Sequence, residues 1–549
     1  MAFEINHDWQ GNLATPRARI GEKAKTRLLI VLCLVWILIG LVGHSPWKSI
    51  EATSISIVKY SLTDYHHLIA PKAVSSTKIE NPPLYYLSAS IFAKILTPLL
   101  SMHDSARLAS GFWMGLTLLL IGMIGRELWG IGTGRQTTFV FISSLGLIVS
   151  AHLLSPEVSA LTGSTMGFYG FALAKRRPIR ASLLLGCGIG IGFMSTGTLP
   201  ALCILSTALF LPIFFRPWRS NSYFTFLGLA LAVALPWLTI WPVLCAIYRP
   251  DDFIQWWNGE LDSYNQFNHL YFIRTLSWFA WPALPISCWG LWRYKSTVLF
   301  KPKFQLILTF FITSFIIIGF NKDTNDIFAL PELIPFAVLA GGSVETLKRG
   351  AASALNWFGL MLFGMIGVLV WLGWMAIMTG KPEKLADRMR FLSGLTHPHF
   401  NWFTFTIAIL VTLIWLVSIK TKRSNRAAVT DWAVGITMAW SLLMTLWLPL
   451  IDSAKSYEGL MLNIKKAVPK NYACVNTRNL GNSQLALLDY YANITGLSLE
   501  LGNRLDCDLY LIRDERGQEK VIPGNDWELI WQGKRLSDRR ESFRLFQKK

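Results

Sequence analysis

Two carboxylates stand out for where they fall along the chain. Glu51 lies in Pro46-Trp-Lys-Ser-Ile-Glu-Ala52, just beyond a first apolar run, and Glu157 lies in Ala151-His-Leu-Leu-Ser-Pro-Glu-Val158, at the start of another. An ionisable group at the edge of a hydrocarbon-length run is costly and is generally retained for a use. There a carboxylate can deprotonate an incoming hydroxyl once burial lifts its pKa toward neutrality. The plainer reading is helix capping, negative charge meeting the positive end of the dipole, and Pro156-Glu157 suits it well. Basic groups beside these carboxylates could hold a phosphate. Lys48, Lys78, Arg107, Arg249, Arg274 and Lys322 are the outward or boundary candidates. Taken singly, each is better explained as a solvated or headgroup-contacting charge. Trp47, Tyr85, Tyr86, Trp256 and Trp257 likewise fit an interfacial aromatic belt. His66-His67 lacks a Cys or acidic partner at ligand spacing, so solvated histidines are expected rather than a metal site. Asn493-Ile-Thr495 matches a glycosylation sequon that chance readily supplies.

The elements that must position these groups are membrane spans. The 549 residues are 52% hydrophobic and only 15% charged, against roughly a quarter charged in an ordinary soluble domain. Leu28 to Val42, Ser110 to Ile124 and Phe304 to Phe320 approach the roughly 17–25 residues needed to cross a bilayer. The formal charge of +19 gathers in short clusters between such runs, which membrane topology explains without nucleic acid. The clusters are Arg17 to Arg27, Arg126 with Arg135, Lys175 to Arg180, Arg216 with Arg219, Arg293 to Lys303, Lys348-Arg349 and Lys420 to Arg426. Short basic loops stay in the cytoplasm, so the acidic and aromatic loops between them face outward together.

With a cytoplasmic segment at 1–27, spans are expected near 28–43, 106–125, 136–154, 157–174, 181–196, 198–215, 223–247, 271–292, 304–320, 327–346, 355–378, 402–419 and 431–450. This threading of about thirteen spans puts every basic cluster inside and leaves a large outer loop at 44–105. Pro82 to Leu100, apolar enough to tempt a span assignment, is expected to lie along the membrane, because a span there would invert the clusters that follow. The fold class is an all-α polytopic membrane protein, 28–450, followed by a small α/β extracytoplasmic domain at 451–549. In that tail Tyr472 to Asn476 and Asp508 to Ile512 are β-prone, with turn signals at Asn482-Ser483 and Pro523-Gly524. Five of the seven cysteines lie in apolar runs. Cys474 and Cys507 lie in the tail, where a disulfide is plausible if that domain is extracytoplasmic. No internal repeat is evident, and the span centres hold almost no charge, which disfavours a transporter.

Taken in order, Pro46 to Ala52, Glu80-Asn-Pro-Pro-Leu-Tyr-Tyr86, Ser105-Ala-Arg-Leu-Ala-Ser110, Ala151 to Val158, Gly192-Phe-Met-Ser-Thr-Gly197 and Ala329-Leu-Pro331 resemble the motifs of the GT-C glycosyltransferases. Within them the chain resembles the bacterial lipid A aminoarabinose transferases, relatives of the protein O-mannosyltransferases, over nearly its whole length. The resemblance implies a sugar taken from a polyprenyl-phosphate carrier outside the bacterial inner membrane and passed to lipid A, a glycan or a similar acceptor, with inversion. It implies Glu51 as base, Glu157 as polarising or orienting group, and Lys48, Asn81, Tyr85, Arg107, Arg249 and Asn325 as substrate-binding residues. No metal or other cofactor is expected. The expected partners are membrane lipids, the lipid-linked donor, the acceptor and other membrane proteins of the same glycan pathway.

Several positions depart from the family pattern. Ile50 stands where an Asp is usual, Asn81 and Thr196 where lysines are usual, Glu157 in place of Asp, and Asn325-Asp326 replaces a differently polar pair. Each lost charge-assisted contact is worth about 1.5–3 kcal/mol. The changes point either to a different donor or to a relative that binds lipid-linked sugar, or partners an active transferase, without turnover.

Overall fold

The computed structural model describes residues 22–47, 49–74, 76–395, 399–419, 424–498, 507–516, 523–524, 526–535, 537–538 and 540–549. The first spans and outer loop hold α1 (Glu22–Leu38), α2 (Ile50–Thr63), α3 (Leu84–Leu96), α4 (Met102–Trp129), α5 (Thr133–Ile142) and α6 (Leu145–Ser150). The central bundle follows with α7 (Pro156–Leu173), α8 (Pro178–Thr196), α9 (Thr198–Phe214), α10 (Asn221–Tyr248), α11 (Pro250–Asp262), α12 (His269–Phe279), α13 (Ala283–Arg293), α14 (Pro302–Gly319) and α15 (Leu333–Ser343). Then come α16 (Arg349–Thr379), α17 (Glu383–Ser393), α18 (Trp402–Ser418), α19 (Asn425–Leu446), α20 (Leu448–Lys455), α21 (Glu458–Ala467) and α22 (Asn482–Leu487).

Among the described residues, seven stretches are long and apolar enough to cross a membrane: α4, α8, α10, α14, Asp326–Thr346, α16 and α19. This is a multi-pass membrane protein. Every expected span has a helical counterpart, but three are broken. Residues 136–154 divide into α5 and α6, 271–292 into α12 and α13, and 327–346 into a 3-10 turn, Asp326–Glu332, followed by α15. Pro282 and Pro331 sit at two of these breaks, where a missing N–H and a ring clash interrupt the helical ladder. Non-helical backbone at such depth is tolerated only where protein or a cavity surrounds it.

Within 82–100 the chain forms α3, 13 residues long. At 1.5 Å per residue it reaches about 20 Å, short of a bilayer core of about 30 Å. It buries Tyr85, Tyr86, Ala89, Ser90 and Ala93 and exposes Leu87, Ile91 and Ile95, the pattern of a helix lying along an apolar surface.

Small residues decide how the outer ends of α7 and α8 meet. A Cβ on Gly163 would come within 2.5 Å of the Gly192 nitrogen, and one on Gly188 within 2.5 Å of the Gly167 nitrogen. Only glycine allows backbones this close, and the pairs fix an antiparallel register. Toward the end of α8 the same pairing continues, where Ser159 donates to Ser195 Oγ at 2.8 Å.

The tail carries one five-stranded sheet: β1 (Val475–Arg478), β2 (Gly496–Ser498), β3 (Leu509–Glu515), β4 (Trp527–Gly533) and β5 (Glu541–Lys548), in the order β2-β1-β3-β5-β4. β1 is parallel to β2 and β3, whereas β5 is antiparallel to β3 and β4. β1 and β3 lie within a few residues of the β-prone runs, displaced toward the C-terminus. Cys474 and Cys507 are disulfide-bonded at the start of that pair, with Cα atoms 4.9 Å apart. The domain's own core, around Leu460, Leu485, Leu509 and Phe543, includes Ala52 of α2, so the tail and the outer loop pack as one layer. Lys59 joins them too, at 3.0 Å from Asp489.

Candidate active site

α2 begins one residue before Glu51, and its first turn carries that carboxylate inward beneath the outer loop. Glu51 is 1% exposed and Arg107, in the first turns of α4, is 0% exposed. Arg107 Nε donates to Glu51 Oε1 at 2.8 Å. The Leu154 N–H donates to the same oxygen and the Trp47 N–H to Oε2, both at 2.9 Å. The remaining guanidinium donors reach Asp104 Oδ1 at 2.9 Å and the carbonyls of Leu41 and His44 at 3.0 and 3.3 Å. Burial pulls the Glu51 carboxyl upward, but Arg107, then His44 and the two backbone donors, outweigh it and hold it below the usual carboxylate range. His44 is held down by burial and by Arg107.

A carboxylate so placed is a poor base, which counts against the expectation for Glu51. Its oxygens take three internal donors, which leaves both engaged within the protein. Arg107 is equally committed to internal acceptors, which counts against it as the holder of a carrier phosphate. Together they join the outer loop, α4 and the 151–157 strap.

Tyr85 belongs to the same knot. Its hydroxyl lies 2.6 Å from Ser110 Oγ and accepts from the Ser155 N–H at 2.9 Å, so this phenol is a strap-holder rather than a free ligand contact. The strap then delivers Glu157, whose carboxylate takes a hydrogen bond from Ser155 Oγ. Glu157 remains partly exposed and makes no ion pair among the described residues. Tyr86, one residue from Tyr85, feels the charge of both Glu157 and Glu80, which places the two carboxylates around one phenol. Asn81 Nδ2 donates to the Tyr86 hydroxyl at 3.4 Å. Burial raises the Glu80 carboxyl, with Ser76 and Lys78 acting against it.

A third carboxylate arrives from α11. Glu260 accepts from the Thr198 N–H at 2.9 Å and from Thr198 Oγ1 at 2.5 Å, at the first residue of α9. Burial raises it as well, and the Thr198 bonds oppose that rise. Gly197, at φ +82°, makes room: a Cβ there would lie 2.7 Å from a Glu260 oxygen. Lys78 lies in electrostatic reach of both Glu80 and Asp262, on the rim of the same region.

No family model matches the chain. Its sequence is similar to the undecaprenyl phosphate-alpha-4-amino-4-deoxy-L-arabinose arabinosyl transferase of Serratia proteamaculans, at 22% identity over 498 residues, 86% of this chain and 83% of that one. The Pseudomonas aeruginosa protein of the same name is 24% identical over 367 residues, 62% of this chain and 63% of that one. Among solved structures, ArnT from Cupriavidus metallidurans bound to undecaprenyl phosphate superposes with a TM-score of 0.68 at 13% identity, covering 96% of this chain and 98% of that one. The fold is that of the GT-C membrane glycosyltransferases.

Against the GT-C expectations, the residues divide. Glu157 and Asn81 meet at Tyr86, whereas Glu51, Arg107 and Tyr85 form the buried knot behind them. Arg249 lies apart. It is exposed and lines a cavity of about 350 Å³ with His66, His67, Lys72 and Asp252. Asn325 is exposed and caps the 3-10 turn by accepting from the Ile327 N–H at 3.2 Å. Lys48 lies outside the described residues. The sequence reading passed over Glu80 and Glu260 as site residues, and had Lys78 only among six possible phosphate holders and Tyr86 only among the interfacial aromatics. A signal for three of them was present, since Lys78 and Tyr86 bracket the Glu80-Asn-Pro-Pro motif. Glu260 had none, because its role depends on how α11 folds back over Gly197.

Proposed function

We propose that this protein is a membrane glycosyltransferase. It moves a sugar from a polyprenyl-phosphate donor, the kind of donor its relatives' names describe, to an extracytoplasmic lipid A, glycan or similar acceptor. The observation that carries the reading is the pairing of Glu80 and Glu157 around Tyr86, beside the Pro-rich outer-loop motif, in a chain with the ArnT fold over nearly its full length. The basic loops set its orientation, with the N-terminus cytoplasmic and the tail domain periplasmic in a bacterial inner membrane.

Glu157 serves as base. An acceptor oxygen attacks the anomeric carbon from the face opposite the carrier, and its proton passes to the Glu157 carboxylate. The bond from that carbon to the carrier phosphate oxygen breaks, and polyprenyl phosphate leaves with the electron pair. Lys78, at the rim, faces the leaving phosphate in place of the lysines that Asn81 and Thr196 replace. Glu80 and Glu260, both raised toward neutrality, hydrogen-bond the sugar's polar groups. The Glu51–Arg107 pair positions the strap that carries Glu157.

Purified full-length protein mixed with undecaprenyl-phosphate aminoarabinose and lipid A should yield an acceptor heavier by one sugar in a mass spectrum. Absence of transfer from this and from other polyprenyl-phosphate pentoses and hexoses would reject the transferase reading. Undiminished transfer by Glu157→Gln would reject the residue assignment while leaving the reaction class intact.

A further inference from the structure

At the basic-loop end of the bundle, far from the carboxylates above, a cavity of about 380 Å³ opens between α16, α18 and α19. Its lining includes Asp431, Trp357, Trp415, Trp432, Ser353 and Asn356. Among the described residues Asp431 makes no hydrogen bond or ion pair, although it sits in the second turn of a span. An unpaired carboxylate at such a depth is costly and calls for a cationic partner. The three indoles are the surfaces on which a cation is best held. Trp432 is fixed in the wall, its Nε1 donating to the Leu355 carbonyl at 2.8 Å.

The surroundings add two features that narrow the ligand. Arg349 is exposed and lies one helical turn before Ser353, which lines the cavity, so a cation stands at the end of α16 that borders it. Beyond the cavity, toward the membrane centre, α16 exposes Met361 and Met365 and α18 exposes Leu410, Leu413 and Ile414. A negative group, aromatic faces, a nearby positive group and an apolar track match an amine-bearing zwitterionic lipid, headgroup inward and acyl chains along the helices.

We propose that this cavity is a binding site for a phospholipid with a primary ammonium headgroup, held by Asp431 and the three tryptophans, with Arg349 at its phosphate. A primary ammonium donates hydrogen bonds to the carboxylate and a quaternary one cannot, so the site prefers phosphatidylethanolamine to phosphatidylcholine. The proposal does not rest on the transferase reading.

Native mass spectrometry of the full-length protein, titrated with phosphatidylethanolamine, phosphatidylcholine or phosphatidylglycerol of identical acyl chains, tests it. Phosphatidylethanolamine should bind about tenfold more tightly than the other two, and Asp431→Asn should erase that preference while leaving binding of the others unchanged. Asp431→Glu should retain it. Equal binding of phosphatidylethanolamine and phosphatidylcholine by the unaltered protein would overturn the proposal, and so would a preference that survives in Asp431→Asn. The comparison of lipids on the unaltered chain holds even if a variant fails to fold.

Discussion

Arg107 Nε and Glu51 Oε1 lie 2.8 Å apart, between two side chains that no solvent reaches. The pair bridges the start of α2 and the outer end of α4, and Glu51 passes the connection on to the Leu154 N–H of the Glu157 strap. Charge here organises the site from behind it.

Removing either partner leaves an uncompensated buried charge, which costs about 3–5 kcal/mol. Glu51→Gln and Arg107→Met should each lower the thermal unfolding midpoint in detergent markedly. Glu51→Leu combined with Arg107→Met should recover much of that loss. Single variants as stable as the unaltered protein would show that the pair is no lock.

The pair also sets a pH dependence. The Glu51 carboxyl is held below its ordinary range in the folded protein, so its stabilisation is fully present above the unfolded pKa. It disappears as pH falls through the lower folded value. Unfolding midpoints measured from pH 7 down to pH 3 should fall more steeply for the unaltered protein than for Glu51→Gln. Parallel curves would remove Glu51 from the acid response.

Glu157→Gln should reduce turnover by about a hundredfold to ten-thousandfold, the range for losing a general base, with little change in unfolding midpoint. Lys78→Ala should instead raise KM for the polyprenyl-phosphate donor by about tenfold with a smaller effect on kcat, as loss of one charge-assisted contact to phosphate would. Steady-state assays with varied donor separate the two. A kcat collapse in Lys78→Ala with unchanged KM would contradict its place at the leaving phosphate.

Gly197 and Glu260 make a close contact that substitution can probe. Gly197→Ala introduces a Cβ 2.7 Å from the Glu260 carboxylate at φ +82°, so both a clash and backbone strain follow. A loss of about 1–3 kcal/mol is expected. Glu260→Ala in the same chain should relieve the clash and leave the strain, restoring part of the stability but none of the activity. No rescue would indicate that the backbone conformation alone requires glycine.

Opening the Cys474–Cys507 disulfide, 33 residues apart in sequence, should destabilise the tail domain by about 3–4 kcal/mol. Limited proteolysis of Cys474→Ser with Cys507→Ser should cut that domain faster than the unaltered protein. Equal cutting rates would mean that packing against α2 suffices to hold it.

Sequence alone determined the parts governed by local solvation. Hydrocarbon-length apolar runs and basic clusters are one-dimensional signals, so the spans, the surface helix at α3 and the polar tail were readable from composition. Glu157 was readable for the same reason, being an acid at the edge of a run. Tertiary structure decided which charges work at the site. Arg107 is 56 residues from Glu51, and nothing in either neighbourhood reveals that they meet and neutralise each other. The breaks within three spans, the carriage of Glu260 onto Thr198 and the unpaired state of Asp431 likewise depend on residues distant in sequence. A carboxylate's chemistry is set by what surrounds it in space, and that surrounding is assembled only when the helices pack.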